Sequence, residues 1–461
     1  MTDAGMLADR LPRAVAGSSP ALRRTLGLAL VWALVLGNAG AIVWLWVHGG
    51  NLHVKNTGEL LTSLARITGL VSAYLALIQV VLLARLPALE RLVGFDKLTV
   101  WHRWNGHATI DLVVAHVVLS VWGYALMDRF TLGKEISTML GGGIYPGMIT
   151  ATVGTGLLLA VVGTSFVIVR RKLRYEWWYT VHLLAYAGIA LAWFHQIPTG
   201  NEFVLNSGTT DYWTSLYIAT LAILVGFRIL APAFGYFRHR LRVAAVAEEG
   251  PGVVSIRIEG RRLDALRAKP GQFFVWRFLG RGRWWTAHPF SLSAAPDGRS
   301  LRITVKALGD HSAGLASLPV GTRVLAEGPF GVFTADARRH EKLLLIAGGI
   351  GITPIRALLE EVGGDVVVLY RAMSEDDLIL RDELHALAAR RGFALHEVVG
   401  DHRTEEGSRL LGAEHLRELV PDLGERDVFL CGPPGLADAV KRQVRRAGVP
   451  RRRIHSERFA L

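Results

Sequence analysis

Apolar runs of about 20 residues, the length a bilayer demands, recur six times before residue 236 and constrain this chain more than anything else in it. They fall at 25–47, 59–84, 101–126, 148–169, 179–197 and 211–234. Lipid offers no partner to backbone N–H and C=O groups, so each run reads as a helix that satisfies its own. The first is too long for a signal-peptide core and lacks a clear cleavage site, so it reads as a span. After residue 236 charge returns and the sequence alternates like a soluble α/β protein. The expected fold is a six-helix transmembrane bundle followed by a β-barrel domain and an α/β parallel-sheet domain.

Basic residues fix the direction of the spans. Arg10, Arg13, Arg23 and Arg24 precede the first; Arg85, Arg91, Lys97 and Arg103 lie around the second connection. Arg170, Arg171, Lys172 and Arg174 follow the fourth span, and Arg238, Arg240 and Arg242 the sixth. The alternate connections hold few: Lys55, then Arg129 and Lys134, then none in 198–210. The positive-inside rule places both termini and the soluble half in the cytoplasm, in a plasma membrane of bacterial type. Much of the formal charge of +13 is thereby explained by topology, and a nucleic-acid partner is not expected. Cys431 is the single cysteine, which excludes disulfide frameworks and clusters needing four cysteine ligands. No C-x-x-C-H occurs, so any haem is held non-covalently, as b-type.

Four histidines lie inside apolar runs: His102 and His116 in the third, His182 and His195 in the fifth. Neutral imidazole is an axial ligand of haem iron. On an ideal helix His102 and His116 stand about 21 Å apart and within about 40° of one face. His182 and His195 stand about 20 Å apart but roughly 140° out of register, a mismatch for helix irregularity, with Gly188 a candidate place, or for helix rotation to absorb. The two runs point the same way across the bilayer, so His102 pairs with His182 on the cytoplasmic side and His116 with His195 on the outer side. A lone membrane histidine more often bonds a neighbouring helix than binds a metal; four at matching depths reverse that preference. His107, roughly 140° from His102, reads as structural. Arg66 lies in the outer part of the second run, where it would pair with a haem propionate, hold a small anionic or polar ligand, or snorkel to the interface. Asp111 gets no role.

The soluble half carries its own motifs. His288, Pro289, Phe290 and Ser291 form a strand end able to set an aromatic ring and a hydroxyl against a flavin. Lys306, Gly309, His311 and Ser312 lead into a short helix whose free N–H groups would receive a pyrophosphate, and Gly328-Pro-Phe-Gly331 supplies a turn that is either a plain hairpin or a cofactor contact. Strands at Leu343–Ala347, Val366–Tyr370 and Val428–Cys431 alternate with helices beginning at Pro354, Leu378 and Leu436, the rhythm of a parallel βαβ sheet. Between the first strand and its helix stand Gly348, Gly349, Gly351, Thr353 and Pro354, where glycine lets the backbone approach a dinucleotide pyrophosphate. The spacing is not G-x-G-x-x-G. Arg371, at the end of the next strand, is placed to meet an adenosine 2′-phosphate, which favours NADPH over NADH. Cys431 and Gly432 end a later strand near the expected nicotinamide, and Glu457 and Phe459 would bring a carboxylate and a ring to the flavin edge.

Together these motifs resemble the ferredoxin–NADP reductase superfamily, and joined to the histidine-bearing half the chain resembles the ferric reductase and NADPH oxidase family over roughly residues 20–461. The resemblance implies that His102, His116, His182 and His195 ligate two b haems, that FAD sits in the first soluble domain and a nicotinamide dinucleotide in the second. A spacing of thirteen between the fifth-span ligands occurs in that family. The chain departs from it at Phe459, which Ala460 and Leu461 follow, and at Ser120, where oxidase members have a histidine. No EF-hand loop or long regulatory insertion is present, which points to a constitutive enzyme with no obligate protein partner. The expected domains are a cytoplasmic segment 1–24, a haem-binding membrane domain 25–236, an FAD domain 237–337 and a nucleotide domain 338–461.

The expected activity moves electrons from cytoplasmic NADPH, or NADH, through FAD and two b haems to an external acceptor. Oxygen, giving superoxide, is the leading acceptor, with Arg66, Cys431 and Phe459 the residues nearest the chemistry. Alternatives are a ferric chelate or a partner protein outside. A haem-binding membrane sensor with a non-catalytic nucleotide domain is the reading from a different class.

Overall fold

The computed structural model describes residues 20–141, 145–166, 172–173, 175–200, 203–204, 207–280, 283, 285–401 and 403–458. Phe459 lies outside the described residues, as do Arg170, Arg171, Arg174 and Arg281. The chain divides into two compact units, one of residues up to Leu82 together with Trp101–Leu221, the other of Leu83–Val100 together with Ala222–Leu461.

The first unit is helical: α1 (Pro20–Trp46), α2 (Thr57–Leu82), most of α4 (Phe95–Asp128), α5 (Leu132–Leu140), α6 (Met148–Ser165), α7 (Tyr175–Thr199) and most of α8 (Ser207–Val225), with α3 (Pro87–Val93) belonging to the second unit. The start of α2 is set by sequence: Asn56 Oδ1 accepts from Glu59 N at 2.9 Å while Glu59 Oε2 accepts from Lys55 N at 2.7 Å, a reciprocal cap. Five described helices are long and apolar enough to cross a membrane: Arg24–Asn51, Thr57–Leu82, Lys97–Asp128, Met148–Ser165 and Ser207–His239. The expected sixth, α7, has the length at 25 residues, but His182, His195 and Gln196 lower its apolar character and it is not among the five.

Polar side chains tie five of these helices in series. Asn105 Nδ2 donates to Gln79 Oε1 at 2.7 Å (α4 to α2), Tyr74 Oη to Val35 O at 3.0 Å (α2 to α1), Tyr212 Oη to Asn38 Oδ1 at 3.0 Å (α8 to α1) and Tyr217 Oη to Gln196 Oε1 at 3.1 Å (α8 to α7). In lipid, hydrogen bonds and close packing of small residues hold helices together where the hydrophobic effect does not. Gly188 serves that purpose rather than relieving helix register: a Cβ there would lie 3.0 Å from Gly154 O, and one on Gly154 would lie 2.7 Å from Gly188 O. The α7 helix runs unbroken through this position.

The second unit continues from α9 (Ala231–His239) into β1 (Arg242–Gly250), β2 (Val253–Glu259), β3 (Phe273–Phe278), β4 (His288–Ser291), β5 (Ser300–Lys306), α10 (Asp310–Ala313) and β6 (Val324–Phe330). These strands make two three-stranded antiparallel sheets, β1-β2-β5 and β4-β3-β6. The expected barrel does not close among the described residues: the sheets meet through the single bridges Leu292–Ile303 and Arg242–Arg323, because β4 is only four residues long and contains Pro289, which has no N–H to extend a ladder. Residues 83–100 join this unit through Arg85, which is ion-paired with Glu327 and lies 5.8 Å over the Phe330 ring, and through Phe95, 6.1 Å from the Phe273 ring.

Next come β7 (Leu343–Gly348), α11 (Ile352–Leu359), β8 (Val366–Ala372), α12 (Arg381–Arg391), β9 (Ala394–Val399), α13 (Glu405–Arg409), α14 (Ala413–Leu419), β10 (Asp427–Gly432), α15 (Pro434–Arg446) and β11 (Ile454–Arg458). The sheet is fully parallel in the order β11-β10-β7-β8-β9, as the βαβ rhythm requires. Its strand order reverses between β7 and β10, and in such sheets ligands bind at the carboxyl ends beside that reversal.

Ion pairs lock the antiparallel sheets to the parallel one. Arg302 on β5 grips Glu383 on α12 with both Nη atoms, at 2.7 and 2.9 Å, and Arg356 Nε lies 2.9 Å from the same carboxylate. The Arg302 hydrogen bonds hold the Glu383 carboxyl below its ordinary range, against the opposing effect of burial. A depressed carboxyl stabilises the fold at neutral pH, and that contribution begins to fade as pH falls below the ordinary value of 4.5 and is gone below the folded value. Glu383→Gln should therefore cost about 1 kcal/mol at pH 7, allowing for partial exposure. Thermal unfolding of variant and parent at pH 7 and pH 4 checks this, with the gap expected to narrow in acid.

Candidate redox site

In the membrane unit the histidines meet in the expected pairs. The His102 and His182 rings stand 6.0 Å apart, centre to centre, at 44°, and the His116 and His195 rings 6.3 Å apart at 41°. Two imidazoles bound to opposite faces of one iron through nitrogens at about 2 Å would have ring centres about 6 Å apart. The tautomers suit ligation too. His116 Nδ1 donates to Ala65 O at 2.7 Å and His195 Nδ1 to Ala192 O, which leaves each Nε2 with its lone pair. His182 Nδ1 lies 3.4 Å from Ser165 Oγ. Gly69 gives the His116 ring its room, since a Cβ there would be 2.6 Å from Nδ1. No group of three or more metal-binding side chains occurs among the described residues, so paired imidazoles are the ligand set on offer.

His107 is exposed with its ring 6.5 Å from that of Trp104, away from the pairs. Asp111 is exposed as well. Arg66 is half-buried and donates from Nη1 to Asn51 Oδ1 at 2.9 Å, one residue from the Ala65 carbonyl that orients His116. Asn51, which the sequence gave no reason to single out, is 4% exposed and also donates to Trp46 O at 2.9 Å.

The flavin motifs converge in the second unit. Pairing of β3 with β4 sets Phe273 opposite Ser291, Phe274 opposite Phe290, Val275 opposite Pro289 and Trp276 opposite His288. Ser291 Oγ is buried and has no hydrogen-bond partner among the described residues, the condition of a group awaiting a ligand. Gly328 and Gly331 have φ of +148° and +94°, and a Cβ on Gly331 would lie 3.1 Å from Glu457 Oε1 and 3.2 Å from Phe273 Cδ1. The turn thus brings Glu457 beside the β3 strand. Ser312 Oγ accepts from Leu308 N at 2.9 Å and Gly309 N at 3.1 Å, so it shapes the loop before α10; His311 lies in α10. Arg283, not expected from sequence, places Nη2 3.3 Å from Ser317 Oγ, beside Gly314, where it can meet a pyrophosphate. Lys306 turns to the other sheet and pairs with Asp377 at 2.9 Å.

At the sheet reversal the glycines are dictated by contact. A Cβ on Gly351 would fall 2.3 Å from Cys431 O and one on Gly348 2.2 Å from Leu436 Cδ2, while Gly349, with φ +53°, has open space above it. Two βα turns therefore pack backbone to backbone and leave one face clear for a pyrophosphate. Cys431 is fully buried on β10, opposite Ala347 and Glu457. Thr353 and Pro354 are buried in the first turn of α11, where Thr353 Oγ1 donates to Ile350 O at 3.0 Å, so they shape the turn. Arg371 departs from expectation. It is 7% exposed and its Nη1 donates to Ala372 O and, at 3.3 Å, to Val398 O, because pairing with β9 turns its guanidinium inward.

Residues 68–193 match the family described as ferric reductase like transmembrane component, 239–334 an FAD-binding domain and 345–442 an oxidoreductase NAD-binding domain. The ferredoxin–NADP reductase B of Sorangium cellulosum is 32% identical over 187 residues, 37% of this chain and 77% of that one. The ferredoxin reductase component of a Rhodococcus rhodochrous 3-ketosteroid-9-alpha-monooxygenase is 30% identical over 229 residues, 48% of this chain, and the match spans 64% of that relative's length. A solved structure, the FAD/NAD-binding domain of the nitric oxide dioxygenase of Vibrio cholerae O1 biovar El Tor, is 25% identical, covers 48% of this chain and 98% of its own, and gives a TM-score of 0.39.

Fold and family matches define an oxidoreductase that joins a ferric reductase like transmembrane component to an FAD-binding and an NAD-binding domain. The chain belongs to the ferredoxin–NADP reductase family through its soluble half and, as a whole, has the ferric reductase/NADPH oxidase-type architecture. If the close approach at Gly351 makes the dinucleotide cradle, Gly351→Ala should slow flavin reduction on the order of 100-fold with flavin content unchanged. Stopped-flow bleaching of the flavin checks this.

Proposed function

We propose that this protein carries electrons across a plasma membrane from a cytoplasmic nicotinamide dinucleotide to oxygen on the far side, giving superoxide. The observation that carries the reading is the meeting of four histidines as two pairs with ring centres 6.0 and 6.3 Å apart. When bound, FAD would accept one hydride, hence two electrons, from the dinucleotide and release them singly, and two b haems would supply the conducting centres in the bilayer. His102 with His182, and His116 with His195, would hold the haem irons through imidazole nitrogens, and the Ala65 and Ala192 carbonyls would keep the second pair in the tautomer with Nε2 free to bind. Ser291 would donate to the flavin, and His288, Pro289, Phe290, Gly328 and Gly331 would wall its site, with Phe459 against the ring. Arg283, Gly309, His311 and Ser312 would surround the pyrophosphate of FAD. Gly348, Gly349, Gly351, Thr353, Pro354 and Gly432 would form the dinucleotide cradle, with Cys431 beside the nicotinamide.

The domains would run 1–24, 25–236, 237–337 and 338–461, with six spans, and with both termini and the soluble half cytoplasmic as the basic connections require. No further protein is needed, because donor site and membrane conductor share one chain. Oxygen is favoured over a bulky ferric chelate by Arg66, whose cation Asn51 holds one residue from the His116 contact, suited to a small anion such as superoxide.

The test is to purify the chain in detergent with haem and FAD, add dinucleotide without air, and then admit oxygen. Haem reduction followed by superoxide dismutase-sensitive reduction of cytochrome c is expected. Arg66→Leu should lower the superoxide rate on the order of 100-fold while anaerobic haem reduction persists. Unreduced haem in fully reduced flavoprotein would contradict the proposal.

A further inference from the structure

In a βαβ dinucleotide fold the adenosine ribose lies at the carboxyl end of the second strand, where users of the phosphorylated form present an arginine and users of the plain form a carboxylate. The second strand here is β8, and Arg371, its penultimate residue, folds inward onto the Ala372 and Val398 carbonyls. Burial pulls its pKa down, so the interior already works against that cation. What the strand end presents outward is Met373, 45% exposed, then Ser374 and the acidic run Glu375, Asp376 and Asp377.

The neighbouring cations are engaged. Arg381 grips Glu397 at 2.9 and 2.5 Å and reaches Glu375 at 3.3 Å. Lys306 pairs with Asp377 at 2.9 Å, and Arg403 with Asp401 at 2.7 Å. A phosphate carries close to two negative charges at neutral pH. Bringing one to this rim would set it against Glu375 and Asp376, and no cation of the rim would be gained among the described residues without breaking one of these pairs. A ribose 2′-hydroxyl, by contrast, is a neutral donor that an exposed carboxylate can accept.

Building on the oxidoreductase reading above, we propose that the donor is NADH, with the acidic segment Glu375–Asp377 and the inward turn of Arg371 excluding the 2′-phosphate of NADPH. The sequence expectation of NADPH rested on Arg371 alone, and its guanidinium is spent inside the fold.

The experiment uses the full-length chain with FAD bound and ferricyanide as acceptor, and measures kcat/KM for NADH and NADPH at one ionic strength. NADH should lead by about tenfold or more, the discrimination that one unpaired buried or repelled charge gives. Met373→Arg, at an exposed position where folding is not at stake, should raise the ratio of kcat/KM for NADPH to that for NADH about tenfold. Parity between the dinucleotides, or a lead for NADPH, overturns the inference while leaving the oxidoreductase reading intact. An unaltered ratio in folded, FAD-loaded Met373→Arg also counts against it, since the rim would then lie away from the 2′ position. Reduction by neither dinucleotide overturns the reading beneath it, and this inference with it.

Discussion

Two helices presenting four imidazoles at two depths form the constraint on which the membrane half depends. A shift of one residue in either helix moves each ring by about 1.5 Å along the axis and turns it by about 100°, enough to separate both pairs at once. The fold guards that register with groups that bury little apolar area. Asn105 on Gln79, Tyr212 on Asn38 and Tyr217 on Gln196 fix neighbouring helices by hydrogen bonds, and Gly154 against Gly188 fixes α6 on α7 by backbone contact. The His116 and His195 rings are further held by backbone carbonyls, which orient a nitrogen without adding charge.

The soluble half solves a different problem with the same economy. Its parallel sheet opens between β7 and β10, and the two turns there approach so closely that a Cβ on Gly351 would meet the Cys431 carbonyl oxygen at 2.3 Å. Nearby, Gly331 lets Glu457 approach the strand that faces Ser291. Charge pairs such as Arg302 with Glu383 and Lys306 with Asp377 hold the flavin sheets against the nucleotide sheet, so the two binding motifs keep a fixed relation within this unit.

Much of this was legible in the sequence where a residue type contradicts its surroundings. Histidines inside apolar runs, and glycines between an apolar strand and a helix, stand out because their local cost demands a reason. Legibility failed where tertiary contact decides. The inward turn of Arg371 depends on β9, an edge strand whose His396 and Glu397 hide its periodicity. Barrel closure depended on pairing between the two sheets, which among the described residues stops at the bridges Leu292–Ile303 and Arg242–Arg323. Gly188 was visible as an oddity, but its purpose required knowing that Gly154 lies opposite. The connection 83–100 joins the second unit through contacts such as those of Arg85 and Phe95, which no periodicity announces.

In the proposed electron path each pair of rings clamps one iron. Haem content per chain, measured with electron paramagnetic resonance of the oxidised protein, tests it most directly. Two haems per chain are expected, both low-spin with two imidazole ligands, with loss of one of them in His116→Ala. One haem per folded chain saturated with haem, or a high-spin signal from both sites, would contradict it.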